Sequence, residues 1–279
     1  MYWRGSNNIK DLLFRVLDAK AAEFKGKVVI DMPAGNGVTS ARLLELGADV
    51  RALDLFPEFF KVPGVICEKV DLGDRLPLAD SSVDWIIFQE GIEHLQDQLK
   101  ILRDCVRVLK PGGRMILTTP NTSNLRSKLA HFLLEAETLR VLPPNEVDSV
   151  WMADGKSGAE ERVYFGHLFS IGIQRLRTLG KVAGLEISQI HPARVNWTSF
   201  GLFVLSASWI YWKSARVYRR SLRKKSLKVS PPAYDEALRL TRDLNILCSG
   251  HLIVEFRKFS SAALEKRAGA IEELRSFVT

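Results

Sequence analysis

The chain has 279 residues, 46% apolar and 26% charged, which is the composition of an ordinary globular protein able to bury a substantial core. Its net charge of +8 excludes a uniformly basic fold: Lys213, Arg216, Arg219, Arg220, Arg223, Lys224, Lys225 and Lys228 follow one another with no acid between, and the other 32 Lys and Arg balance 32 Asp and Glu. Cys67, Cys105 and Cys248 sit in no metal-ligand or redox spacing, and with no secretory signal they are expected to be reduced, buried thiols of a cytoplasmic protein.

In chain order, residues 7–24 carry Ile9, Leu12, Leu13, Val16, Leu17 and Ala21 at helical spacing behind an Asn cap. Short apolar runs recur at 28–32, 50–53, 65–70, 83–88 and 114–118, with helical or turn-like segments between them, notably 40–46 and 98–109. Buried strands alternating with helices imply a parallel sheet covered on both faces. Lys110-Pro111-Gly112-Gly113 should break the chain between a helix and the fifth strand. Residues 121–166 lack a clear strand and read as a mostly helical insertion. Ser170 is expected to cap a helix that puts Ile173, Leu176, Leu179 and Val182 on one face and stops at Gly184. Residues 185–190 and 251–257 read as strands on either side of a second insertion, 192–248, and residues 261–279 as a helical tail. One domain with insertions and two domains both fit the length.

The stretch "VVIDMPAGNGVTSARLLELGADVRALDL" carries the first chemical signal. A strand ends at Asp31, Pro33 holds its predecessor extended, and Gly35 and Gly37 free the chain for unusual backbone angles and close approach of a ligand. Asp54 closes the second strand, where a carboxylate can accept hydrogen bonds from both hydroxyls of a ribose. Asp71 follows the third. Counting from Gly35 gives Gly37 and then Ser40, so the third glycine of the dinucleotide fingerprint is missing, and no lysine follows as in a P-loop.

These motifs, with "LPLADSSVDWIIFQEGIEHL" and "VLKPGGRMILTTPN" after them in order, resemble those of the class I S-adenosylmethionine-dependent methyltransferases. The resemblance is close over 25–122 and returns in "GHLFSIGIQRLRTLGKVAGLEI" and "HLIVEFRK". It implies a Rossmann-like α/β fold: a seven-stranded, mostly parallel sheet with helices on both faces, one domain over 1–260 with its core at 25–120. It also implies that Gly35 and Gly37 border the methionine part of S-adenosylmethionine, Asp54 holds its ribose, Asp71 meets the adenine amino group, Asp31 lies near the amino-acid end and Gln89 touches the cofactor edge. Pro33 departs from the pattern, since many family members have glycine there, and it removes a backbone donor.

A sulfonium cofactor is already activated, so alignment of the acceptor supplies most of the rate, and an alcohol or phenol acceptor gains from a base or a metal. If residues 90–94 begin a helix, Glu90, Glu93 and His94 share one side and, with His167, form a candidate site for a divalent cation such as Mg²⁺. Similar E-x-x-E-H patterns occur in metal-dependent small-RNA 2′-O-methyltransferases, and related ones in ubiquinone-pathway O-methyltransferases. His94 or His167 is alternatively the base, and structural roles for Glu93 and His94 stay open. The arrangement favours oxygen as the methylated atom.

The segment 199–212 has no charged residue, is too short to span a bilayer and is rich in Trp, Tyr and Phe, and the basic run follows at once. An apolar wedge beside a polybasic run reads as two attachment signals for an anionic membrane surface, through residues 200–228. Packing of the apolar part on the core is one alternative. A nucleic-acid groove is another, although only Tyr218 lies inside the basic run. The expectation is therefore a cytoplasmic enzyme peripheral to the inner membrane face, with 121–166 as a lid and 192–248 facing the membrane. Its acceptor would be a small molecule, a glycan or a lipid-linked glycan, as in bacterial surface-polysaccharide pathways that the resemblance suggests. The rivals are an RNA methyltransferase and a degenerate, non-catalytic binding protein.

Overall fold

The structure is a computed structural model that describes residues 9–145, 166–223 and 231–259. The strands are β1 (Val28–Met32), β2 (Asp49–Asp54), β3 (Cys67–Lys69), β4 (Val83–Gln89), β5 (Leu109–Pro120), β6 (Leu185–Ile190) and β7 (His251–Lys258). The helices are α1 (Ile9–Ala19), α2 (Ala21–Phe24), α3 (Val38–Glu45), α4 (Gln98–Val108), α5 (Leu125–Leu134), α6 (Ile173–Ala183), α7 (Trp197–Leu222), α8 (Pro231–Arg242) and α9 (Leu244–Cys248).

One seven-stranded sheet runs β3-β2-β1-β4-β5-β7-β6, as the resemblance implies. β1 to β5 are parallel, and β7 is antiparallel to both β5 and β6. Because side chains alternate along a strand, each central strand feeds two cores. Val29, Trp85, Ile87, Ile116 and Ile253 meet α1, α2 and α3 through Leu13, Leu17, Phe24 and Leu43. Ile30, Ile86, Phe88, Met115, Leu117, Val254 and Phe256 meet α4, α6 and α8 through Leu102, Cys105, Leu176 and Leu240. Each large side chain fully buried this way contributes roughly 1.5–3 kcal/mol. The order of strands reverses between β1 and β4, so a crevice opens beyond their carboxyl ends.

Several local expectations are corrected. β5 starts at Leu109, ahead of Lys110-Pro111-Gly112-Gly113: Leu109 pairs with Val83 and Arg114 with Trp85, so those four residues bulge within a strand instead of preceding it. Gly112 has φ +75°, and a Cβ on Gly113 would lie 2.9 Å from the Lys110 carbonyl oxygen. α6 is capped by Ser123, whose Oγ accepts from the Ile173 N–H, while Ser170 Oγ donates to the His167 carbonyl. Val182 is exposed, and Gly180 takes the inner face. Gly184, in the left-handed region, does stop the helix.

In the first insertion α5 is capped by Asn124, whose side chain accepts from the Ser127 N–H. Residues 146–165 of the expected lid, Lys224, Lys225 and Lys228 of the basic run, and the tail from 260 lie outside the described residues. In the second insertion the apolar stretch and the start of the basic run are one helix of 26 residues, α7. Ser199 is its buried point: Oγ donates to Asn124 Oδ1 and accepts from the Arg126 N–H, clasping α7 to the start of α5. Beyond the clasp, Trp197 (76% exposed), Val204, Leu205 (87%), Trp209 and Trp212 lie outward, and Arg216, Arg219 and Arg223 continue the same face. The outer half of the apolar stretch therefore does not pack on the core. No helix of the described residues is long and apolar enough to cross a membrane.

Candidate active site

The carboxyl ends of β1, β2 and β4 gather the acids expected there. Asp31 is buried beneath the crevice. Ser40 Oγ on α3 donates to its Oδ2 at 2.6 Å, Oδ1 has no partner, and burial pushes the carboxyl up to about 7 against the pull of Ser40. Asp54, also buried, accepts from the Gly35 N–H at 2.7 Å and the Phe56 N–H at 2.8 Å, which lock its orientation while each oxygen keeps accepting capacity. Asp71, half-buried after β3, accepts from the Gly73 N–H at 2.7 Å. At the tip of β4, Gln89 Oε1 accepts from Thr39 Oγ1 at 2.8 Å, joining β4 to α3 across the crevice.

The two glycines differ. A Cβ on Gly35 (φ +54°) would meet nothing within 4 Å, so its open side can admit a ligand. A Cβ on Gly37 (φ +84°) would fall 2.5 Å from Val62 and 2.7 Å from Phe60. Gly37 thus serves the chain's own packing and the start of α3, and the segment after β2 is held over it by Lys61 N–H donating to the Asn36 carbonyl.

Residues 90–94 do not begin an α-helix. Glu90 takes φ +46°, and Ile92–His94 forms a single 3-10 turn. Glu90 N–H donates to Thr118; its Oε1 is buried without a partner, and burial, then the Glu93 charge, push it up to about 7. Glu93 is fully buried. It accepts from Thr119 Oγ1 at 2.9 Å, Oε1 has no partner, and burial raises it as well. His94 Nδ1 donates to the Gly166 carbonyl at 3.2 Å and His167 Nδ1 to Glu137 Oε2 at 2.9 Å, so each Nε2 is left to accept or ligate. Their rings meet edge-on at 5.3 Å. The bond to Glu137 holds the His167 pKa above its ordinary value.

Of the four residues expected to bind a cation, Glu93, His94 and His167 bring ligand atoms within 4.8 Å of one another, whereas Glu90, turned aside by its left-handed backbone, is outside that group. Sequence reasoning missed three contributors. Glu137 has no spacing relation to His167. His251 reaches Glu90 (3.9 Å) because the antiparallel β5–β7 pairing sets it opposite Pro120, and burial lowers its pKa. Gly91 lets β4 abut β1, since a Cβ there would lie 2.7 Å from Pro33. Glu90, which burial carries to about 7, and Glu93, which burial also raises, stand beside a carboxylate-oriented imidazole, an arrangement suited to moving a proton.

Residues 30–117 match the family model described as a methyltransferase domain. The same region carries the motif order, and the sheet supplies the crevice. Residues 30–117 are thus similar to a methyltransferase domain in sequence, within a sheet of the strand order given above. Curated relatives include the ubiquinone biosynthesis O-methyltransferases of Xanthomonas oryzae pv. oryzae, 34% identical over 131 residues, and Xanthomonas euvesicatoria pv. vesicatoria, 35% over 134 residues. Each match covers 43% of this chain and 54% of the relative, so the chain spans about half the length of the curated relatives it matches. An S-adenosylmethionine-dependent methyltransferase structure from Mesorhizobium loti is similar in fold (TM-score 0.50, 17% identity, 88% of this chain and 98% of that one).

Proposed function

We propose that the chain is an S-adenosylmethionine-dependent methyltransferase that acts on an oxygen atom. The observation that carries this reading is Asp54, clamped by the Gly35 and Phe56 amides beside the open flank of Gly35. The crevice fits the cofactor: Asp31 Oδ1 is a buried acceptor without a donor, which suits the ammonium of the amino-acid end, and Gly35 leaves room beside it. Asp54 would hold the ribose, Asp71 the adenine amino group and Gln89 the cofactor edge. When bound, the cofactor supplies an activated methyl group. The chain's own residues orient the acceptor hydroxyl and take its proton: His167 Nε2 accepts it, and Glu137 steadies the imidazolium that forms. His94 packs against that ring and fixes its tilt.

The acceptor is read as a small molecule, a glycan or a lipid-linked glycan, bound under residues 121–166, and the enzyme as peripheral to an anionic membrane. The outward aromatic face of α7, continued by arginines, supports that placement. Lys213 and Arg216 already lie over the Trp209 and Trp212 rings, which favours a lipid surface over stacked RNA bases.

Calorimetric titration of S-adenosylmethionine tests the core of the reading. Asp54→Ala removes one or two charge-assisted hydrogen bonds, about 1.5–3 kcal/mol each, so affinity falls at least tenfold. Thermal melting checks that the loop freed by the loss of Asp54 still folds. No heat from the folded wild type moves the non-catalytic reading to first place.

One observation favours a second reading of the catalysis: Glu93, His94 and His167 are spaced to hold a divalent cation, which would lower the acceptor's pKa directly. A chelator abolishes turnover if the cation is used, and leaves the rate unchanged if His167 alone is the base.

A further inference from the structure

Beside the acid–base cavity lies a second one that the methyl-transfer reading leaves unused. It is a groove of about 450 Å³ between α5, α7 and α8, floored by α9. Leu125, Ile210, Val217, Leu238 and Leu247 give it apolar walls, and among the described residues no acid lines it. Polar pins hold α7 and α8 together without filling it: Tyr218 donates to Asp235, and Arg242 donates to Ser214 Oγ and the Tyr211 carbonyl. Such walls offer ordered water too few polar partners to make it a satisfactory filling.

Lys128 on α5 joins this groove to its neighbour. It lines both the apolar groove and a cavity of about 430 Å³ that also contains His131, Glu137 and His167. Among the described residues its ammonium makes no hydrogen bond and no ion pair. Although much of the side chain reaches solvent, crowding around it lowers its pKa. Among the described residues, Lys213 is the other charged residue on the groove's lining.

We infer that the groove takes the hydrocarbon tail of the methyl acceptor and that Lys128 meets an acidic group, phosphate or carboxylate, at the head of that tail. The acceptor is then an anionic amphiphile, with its acid between the apolar groove and the cavity that holds His167. Apolar walls select the tail, and Lys128 and Lys213 on the groove's described lining select the sign of the head. The word acceptor rests on the methyltransferase reading; the groove and its ligand class do not.

Calorimetry with dodecyl phosphate, dodecyl glucoside and butyl phosphate, each below its micelle concentration, tests this on the full chain. Dodecyl phosphate is expected to bind at least tenfold more tightly than either the neutral long chain or the short anion. Ala237→Phe, which fills the groove, weakens it at least tenfold, and Lys128→Gln reduces it to the level of dodecyl glucoside. Leu205→Asp, on the outer face of α7, leaves it unchanged. Undiminished binding by Ala237→Phe with an unaltered melting temperature, or by Lys128→Gln, overturns the inference, as does loss in Leu205→Asp alone. If Ala237→Phe fails to fold, the three ligands and Lys128→Gln still decide. A parallel titration of S-adenosylmethionine separates the two readings: amphiphile bound without cofactor removes the methyltransferase and keeps the groove, and the reverse removes only the groove.

Discussion

Buried carboxylates occur at two places in this sheet, and the chain treats them in opposite ways. On β7, Glu255 is 2% exposed and fully attended: His191 Nε2 at 3.1 Å, Lys20 at 3.1 Å and Arg114 at 3.2 Å surround it. Burial pushes its pKa upward, but the hydrogen bonds from His191 and Lys20 prevail and hold it at about 2. At the tips of β1 and β4, Asp31, Glu90 and Glu93 each keep a buried oxygen with no donor, and burial carries Asp31 and Glu90 to about 7. An acid left short of donors is one that a ligand or a proton can complete, whereas Glu255 has nothing left to offer.

The comparison breaks most readily at Glu255. Glu255→Gln strands Lys20, Arg114 and His191 around a neutral amide and is expected to cost about 2–3 kcal/mol, read from chemical denaturation at pH 7. Its folded pKa lies below the ordinary 4.5, so the wild type holds this stability above pH 4.5 and loses it as the pH falls toward 2. The variant lacks that acid slope. Glu90 has the opposite sign. Its folded pKa is raised, so the native state binds the extra proton, and wild-type stability declines as the pH rises from 4.5 through 7. Glu90→Gln flattens that decline and gains about 1–2 kcal/mol above pH 7; a loss there would show Glu90 to be structurally attended after all. The smallest effect on folding belongs to α7. Leu205→Asp changes stability by less than about 0.5 kcal/mol, because the side chain is already in solvent, yet partition onto anionic vesicles falls about tenfold in flotation. Unchanged flotation would remove the membrane placement.

Much of the sheet was legible because each central strand is an unbroken apolar run; 28–32 is a strand end to end. The bulge in β5 was not, since Lys110-Pro111-Gly112-Gly113 has the chemistry of a turn and only the pairing of Leu109 with Val83 reveals the strand already begun. Asp31, Asp54 and Gln89 could be placed from their position at strand ends. The partners that define the acid–base cluster could not: Glu137 and His251 come from distant segments, brought in by β5–β7 pairing and by the chain after α5. The E-x-x-E-H spacing suggested a helix, but the positive φ of Glu90 replaced it with a tight turn. Glu255, alternating with apolar neighbours, read as a strand residue, and its three partners lie at the junction of α1 and α2, on β5 and in the loop after β6.

The contact between Gly91 and Pro33 ties together two positions 58 residues apart in sequence. With the proline ring in place, any side chain at 91 is driven into Pro33 Cδ at 2.7 Å and the Phe88 ring at 2.8 Å. Pro33 therefore sets what position 91 can hold. A side chain at 91 fits only where the ring at 33 moves or is absent, so substitutions at the two positions are expected to be non-additive in stability.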